Sequence, residues 1–293
     1  MDELESVIIT SNGLTAKIAR LGAELVSLRD PQHRELMSDG DPAYWTGRAP
    51  ILFPIVGRLD GDRYTLDGDR YALPQHGFAR RTEFAIAEQG ESHVRLRLTD
   101  SPVTRVAYPF AFVLEMDFLL DGATLTMAAT IRNPGLVPLP ASFGYHPAFA
   151  WPLPYEAART GHRIVFEADE AADILAITSD GLIDGKRPSP VEGDTLRLSD
   201  DLFAHGALIW NTLDSRSLRY GPPAGPALEM DFPDTEWLGV WTKPGAGFVC
   251  IEPWAGMADT LGYHGDFRDR PGVFEIAPGS SRTFRMTVRL AEN

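Results

Sequence analysis

Short runs of alternating apolar and polar residues recur along this 293-residue chain, each closed by a turn signal, and that period of two constrains the fold most. Ser6–Thr10 and Leu14–Arg20 flank Ser11-Asn12-Gly13, and Tyr64–Leu66 and Arg70–Leu73 flank Asp67-Gly68. Phe84–Gln89 and His93–Thr99 flank Gly90, and Phe112–Leu120 and Ala123–Arg132 flank Asp121-Gly122. Glycine tolerates positive φ and aspartate bonds its own backbone, so the chain reverses at little cost at each of these points. The second half continues the pattern with Arg163–Glu167, Ala207–Trp210, Ser217–Tyr220, Ala227–Phe232, Leu238–Thr242, Phe248–Glu252 and Arg282–Leu290. Helical periodicity is scarce, and a short helix is expected only over Asp169–Ile177. Strands that do not alternate with helices cannot supply the crossovers of a parallel sheet. The expected architecture is all-β, a large antiparallel β-sandwich. No linker divides the chain, so residues 1–293 read as one domain. The 27 glycines and 23 prolines follow no period, as many tight turns require.

The formal net charge is −14, which repels phosphate backbones and anionic membranes, so neither nucleic acid nor membrane is an expected partner. Residues 48–81 depart from the trend with a local balance of +2, carried by Arg48, Arg58, Arg63, Arg70, Arg80 and Arg81. This is either a solvated set of turns or a polar site. The single cysteine, Cys250, forbids an intrachain disulfide, and the opening MDELESVIIT is acidic rather than basic-then-apolar. A cytoplasmic protein without a leader is the simpler expectation. No apolar run reaches the length of a membrane-spanning helix.

Four segments set polar residues among aromatics and prolines: 49–58, 73–80, 143–149 and 248–254. In the last, alternation puts Val249 and Ile251 on one face of a strand and Cys250 and Glu252 on the other. A carboxylate presented from an apolar strand beside the Trp254 indole would be a stronger base than one in water. The bland alternative pairs Glu252 with an arginine at a strand end. His76 and His146 each sit in a loop with glycine or proline, flanked by aromatics, and are either structural or chemical. His33, His93, His162 and His264 read as surface residues, and His205 is ambiguous. A metal triad of two histidines and a glutamate lacks support, because neither H-E-x-x-H nor His-x-His occurs. Phosphate-loop and nucleophile-elbow motifs are absent as well.

Taken in order, Leu52–Arg58, Gln75–Arg80, Gly144–Phe149 and Cys250–Trp254 resemble the aldose 1-epimerases, or mutarotases, in particular a bacterial branch of uncertain substrate. The resemblance runs from about Ser6 to Leu290. It implies a galactose mutarotase-like supersandwich and an isomerase acting on a small-molecule sugar, with no cofactor and no metal. It also implies a general base at Glu252, a general acid at His146 and sugar contacts from His76 and Arg58. Arg80 and Trp254 are further candidates for the sugar site, and Trp45 and Trp151 for apolar contact with the ring. A phosphorylated hexose, held by Arg48, Arg80 or Arg81, and a non-catalytic sugar-binding sandwich are the alternatives. One departure stands out. The aspartate expected near Gly206 is missing, with Asp201 or His205 as candidate replacements. The oligomeric state is left open.

Overall fold

The structure, a computed structural model, describes residues 6–292. The acidic opening at residues 1–5, on which the absence of a leader was read, lies outside the described residues. Two large antiparallel sheets dominate. The nine-stranded sheet has the order Thr195–Arg197, Arg163–Phe166, Ser217–Gly221, Ala227–Asp231, Ser281–Ala291, Thr124–Arg132, Val113–Asp121, His93–Thr99 and Ala85–Gln89. The eight-stranded sheet has the order Ile183–Arg187, Ile174–Ile177, Leu208–Trp210, Trp237–Trp241, Phe248–Ala255, Phe143–Tyr145 and Ile51–Leu52, with Ala148–Ala150 also paired to Phe248–Ala255. A three-stranded sheet over Ser6–Thr10, Thr15–Ala19 and Glu24–Arg29 adds Ile9, Ile18 and Leu28 to the same core.

The alternation read from the sequence decides which residues meet between the sheets. Leu114, Met116, Phe118 and Leu120 face inward from one strand, and Leu125, Met127, Ala129 and Ile131 from its neighbour. The register sets Met127 opposite both Phe118 and Met286. From the eight-stranded sheet, Phe143, Tyr145, Val249 and Ile251 enter that same cluster. Phe143 stacks on Phe284 with ring centroids 5.2 Å apart. The Tyr145 hydroxyl crosses between the sheets, 3.2 Å from the Met127 carbonyl and 2.9 Å from that of Phe284. A buried hydroxyl without such partners would cost about 1–3 kcal/mol, so this contact locks the relative position of the sheets.

The all-β sandwich is therefore what the sequence leads one to expect, and Asp67-Gly68 makes the expected tight hairpin, with φ of 53° and 90°. The helix expected over Asp169–Ile177 does not form. Ile174–Ile177 is a strand between Leu208–Trp210 and Ile183–Arg187. Ile174 faces the core while Leu175 faces away from it. Glu170, well suited to a helix's first turn, instead accepts the Ser215 N–H at 2.8 Å from a buried position. Among the described residues the one α-helix is Pro102–Ala107, closed by a reciprocal Ser101–Thr104 cap. No helix among the described residues is long and apolar enough to cross a membrane.

Candidate active site

The outer face of the eight-stranded sheet is as buried as the inner face near its centre, yet it is differently built. Along Phe248–Ala255, Val249 and Ile251 enter the inter-sheet core, whereas Phe248, Cys250 and Trp254 pack on the far side. Glu252 shares that far side and is 1% exposed. A cleft of about 340 Å³ opens over it. Trp45, Trp241, His76, His146, Arg80 and Glu252 form its polar and aromatic part, and Ile177, Ala207 and Ile209 an apolar wall.

His146 sits between Phe143–Tyr145 and Ala148–Ala150, two short segments that both pair with the Glu252 strand. Tyr145 pins one side of this loop to the opposite sheet, and the Ile251 N–H donates to the Pro147 carbonyl at 3.1 Å. His146 Nε2 consequently stands 3.1 Å from Glu252 Oε2. The angles at that contact are not those of a hydrogen bond, and Oε2 is buried without a hydrogen-bond partner. His146 Nδ1 makes no hydrogen bond to another residue among those described. Burial pushes the Glu252 carboxyl well above the usual carboxylate range. Burial, reinforced by the Arg80 charge, pulls the His146 imidazole down to about 3. Trp45 and Trp241 flank His146 at ring-centroid distances of 5.0 and 6.1 Å.

His76 arrives by a strained route. Its φ is +64°, a left-handed conformation that costs an ordinary residue roughly 1–2 kcal/mol. Hydrogen bonds offset the strain: His76 N–H donates to the Gly57 carbonyl at 2.8 Å, and Gly57 N–H donates to His76 Nδ1 at 3.1 Å. An accepting Nδ1 leaves the proton of the neutral ring on Nε2, free to donate. Burial and the neighbouring His146, Arg80 and Arg81 keep this ring neutral. Arg80 donates through Nη2 to the Gln75 carbonyl at 2.9 Å, while its Nε is buried without a partner. The Trp254 indole fills the floor beside Glu252. It occupies the space over Gly144 and Gly239, where an added Cβ would come within 2.5 and 2.6 Å of the ring.

Five of the six site residues expected from the sequence and its resemblance therefore line one cleft: Trp254 and Glu252 form its floor, and His76, Arg80 and His146 complete the polar set. Arg58 does not join them. Its guanidinium clasps Asp62 with two contacts of 2.9 Å and reaches the Asp180 carbonyl at 3.2 Å, so it braces the rim next to Gly181 rather than lining the cleft. Trp45 lines the cleft, but Trp151 belongs to the core, its indole N–H donating to the Arg159 carbonyl. His162, read as a surface residue, is buried, accepting from Leu153 N–H at 3.0 Å. Asp201 and His205 are exposed and do not line the cleft, which has Gly206 and Ile177 at that place. A side chain at Gly206 would meet Ile177 Cδ1 at 2.7 Å, at a φ of +88°. Trp241 and Ile177 could not be picked out beforehand. Trp241 was within an expected strand, but only the register opposite Cys250 shows which way it faces.

The family model for aldose 1-epimerases matches residues 5–288. The chain belongs to the aldose 1-epimerase family. It is similar to the chromosomal protein LacX of Lactococcus lactis subsp. lactis, 29% identical over 288 residues that cover 94% of this chain and 96% of the relative. Among solved structures, a galactose mutarotase related enzyme from Lactobacillus acidophilus superposes with a TM-score of 0.91 at 27% identity, covering 98% of this chain and 97% of that one. A galactose mutarotase-like protein from Lactobacillus casei ATCC 334 superposes with a TM-score of 0.90 at 26% identity, covering 98% and 100%. The aldose 1-epimerase family thus accounts for the whole sandwich, including the strand and loop that carry Glu252 and His146.

Proposed function

We propose that this member of the aldose 1-epimerase family is an isomerase that interconverts the α and β anomers of an aldose, with Glu252 as general base and His146 as general acid. The observation that carries the reading is the pair itself. A carboxylate and an imidazole stand 3.1 Å apart, buried, unbonded to one another and open to a cleft of small-molecule size. Glu252 takes the proton of the anomeric hydroxyl as His146 gives one to the ring oxygen. The C1–O5 bond breaks, and its electrons remain on O5 as the C1–O1 carbonyl forms. Rotation about C1–C2 presents the other carbonyl face. O5 then attacks C1, returns its proton to His146, and O1 recovers one from Glu252.

Burial supports this reversible exchange. In water the shared proton would prefer the imidazole, whose ordinary pKa of 6.5 exceeds the carboxyl's 4.5. Burial disfavours both ions, lowering the imidazole and raising the carboxyl, so it makes Glu252 a stronger base than a carboxylate in water. In this reading His76 Nε2–H and Arg80 donate to sugar oxygens, and Trp45, Trp241 and Trp254 offer apolar faces to its C–H bonds. Polarimetry of freshly dissolved α-anomers across a panel of free aldoses tests the reading. Faster relaxation than the spontaneous rate is expected with at least one, and an unchanged rate for all of them and their 6-phosphates would defeat it.

One observation favours a phosphorylated aldose as the second reading. Arg80 Nε is buried at the cleft without a partner, and a guanidinium suits phosphate. Arg48 is committed to the Ser38 and Asp39 carbonyls and does not line the cleft. Inhibition by hexose 6-phosphate that is lost in Arg80→Gln would select this reading.

A further inference from the structure

Cys250 lies on the same strand face as Glu252, next to the acid–base pair, and the reaction has no use for it. One ligand atom each from His146, Cys250 and Glu252 lie within 4.8 Å of one another, and all three residues are buried. Around a tetrahedral zinc ion, with bonds of about 2.0–2.3 Å, such atoms stand about 3.3–3.6 Å apart. The 3.1 Å between His146 Nε2 and Glu252 Oε2 already approaches one edge of that tetrahedron. No existing hydrogen bond to Oε2 has to break.

The backbone fixes the three donors. Cys250 and Glu252 are two residues apart in Phe248–Ala255, and Ala148, two residues from His146, pairs directly with Cys250. A thiolate, a carboxylate and a neutral imidazole would balance a dication, so the complex would carry no net charge into a buried place. The thiolate also sets the preference, since sulfur favours zinc-like ions over magnesium or calcium.

We propose that His146, Cys250 and Glu252 form an inhibitory site for a thiophilic divalent ion such as Zn²⁺, with its fourth position facing the cleft. The ion occupies both catalytic groups, so it competes with the sugar. That consequence rests on the mutarotase reading, whereas the binding site does not. Cobalt(II) titrated into the metal-free full chain is the direct probe. A saturable near-ultraviolet thiolate-to-cobalt band is expected, at one ion per chain and bleached by zinc.

Cys250→Ala should abolish the band, weaken zinc binding by about 10-fold or more, and keep basal mutarotation while losing its zinc sensitivity. Loss of an outer partner alone costs a metal site that much, so loss of a ligand should cost no less. Cys250→Ser, with a thermal melt for each variant, guards against misfolding. Absence of a saturable band, zinc affinity unchanged in both variants, or stimulation by zinc would overturn the proposal. A band without mutarotation in the metal-free protein would leave the site standing and defeat the mutarotase reading.

Discussion

Val249 and Ile251 point one way from the strand Phe248–Ala255, and Cys250, Glu252 and Trp254 point the other, yet all five are at most 5% exposed. Burial alone therefore does not distinguish a core from a site. On the inner face the neighbours are apolar or, like Tyr145, hydrogen-bonded, apart from the Trp210 indole N–H, which is buried without a partner. On the outer face the same burial leaves Glu252 Oε2, His146 Nδ1, Arg80 Nε and Trp254 Nε1 without partners. Unpaired buried polar atoms cost stability, and here they concentrate around one cleft. Two of the three buried histidines repeat the contrast. His162 accepts from Leu153 N–H through Nε2 and lies 3.0 Å from the Ala158 carbonyl through Nδ1, so its polar atoms are spoken for, whereas His146 faces a carboxylate.

The sharpest way to break this comparison is to change each face in turn. Glu252→Gln keeps the shape and removes the base, so the mutarotation rate should drop by about 10²–10⁴-fold while the melting temperature holds or rises. Polarimetry paired with a thermal melt reads both, and an active Glu252→Gln protein would end the assignment of the base. On the inner face, Ile251→Ala should cost about 2–5 kcal/mol in urea unfolding through the cavity it leaves, with the folded fraction still catalysing.

The pH dependence of stability separates the two groups of the pair. His146 titrates near 3 when folded and near 6.5 when unfolded, so below 6.5 the unfolded chain binds the extra proton. Stability should fall as pH drops from about 6.5 toward 3, and His146→Asn should flatten that fall in denaturation curves measured across the window. Glu252 shifts the other way. Its raised pKa contributes stability that is present below about 4.5 and lost as pH climbs through the folded value, so Glu252→Gln should gain on the parent as pH rises. The smallest expected effect is at the rim. Trp45→Ala removes an aromatic face from the cleft and should raise KM about 2–10-fold with kcat less affected, as measured by initial rates over a range of sugar concentrations.

The period of two, the turn residues and the alternation of Phe248–Glu252 were legible in the chain because each depends on neighbours one to four residues apart. Those local rules led to the all-β architecture and to Val249 and Ile251 facing opposite to Cys250 and Glu252. They misread 169–177, where Glu170 is held by a backbone amide at Ser215, far along the chain. The four motif segments, through their family resemblance, brought His76, Arg80, His146, Glu252 and Trp254 into consideration. Their convergence on one cleft is a matter of sheet register and loop anchoring, which no local pattern encodes. The same is true of Arg58, which the resemblance placed on the sugar and which Asp62 and the Asp180 carbonyl hold at the rim. The sequence by itself determined which residues alternate and where the chain turns. Only the tertiary structure decided that Glu252 and His146 stand 3.1 Å apart, because that distance is set by pairing between strands more than a hundred residues apart in sequence and by a tyrosine hydroxyl bonded across to the other sheet.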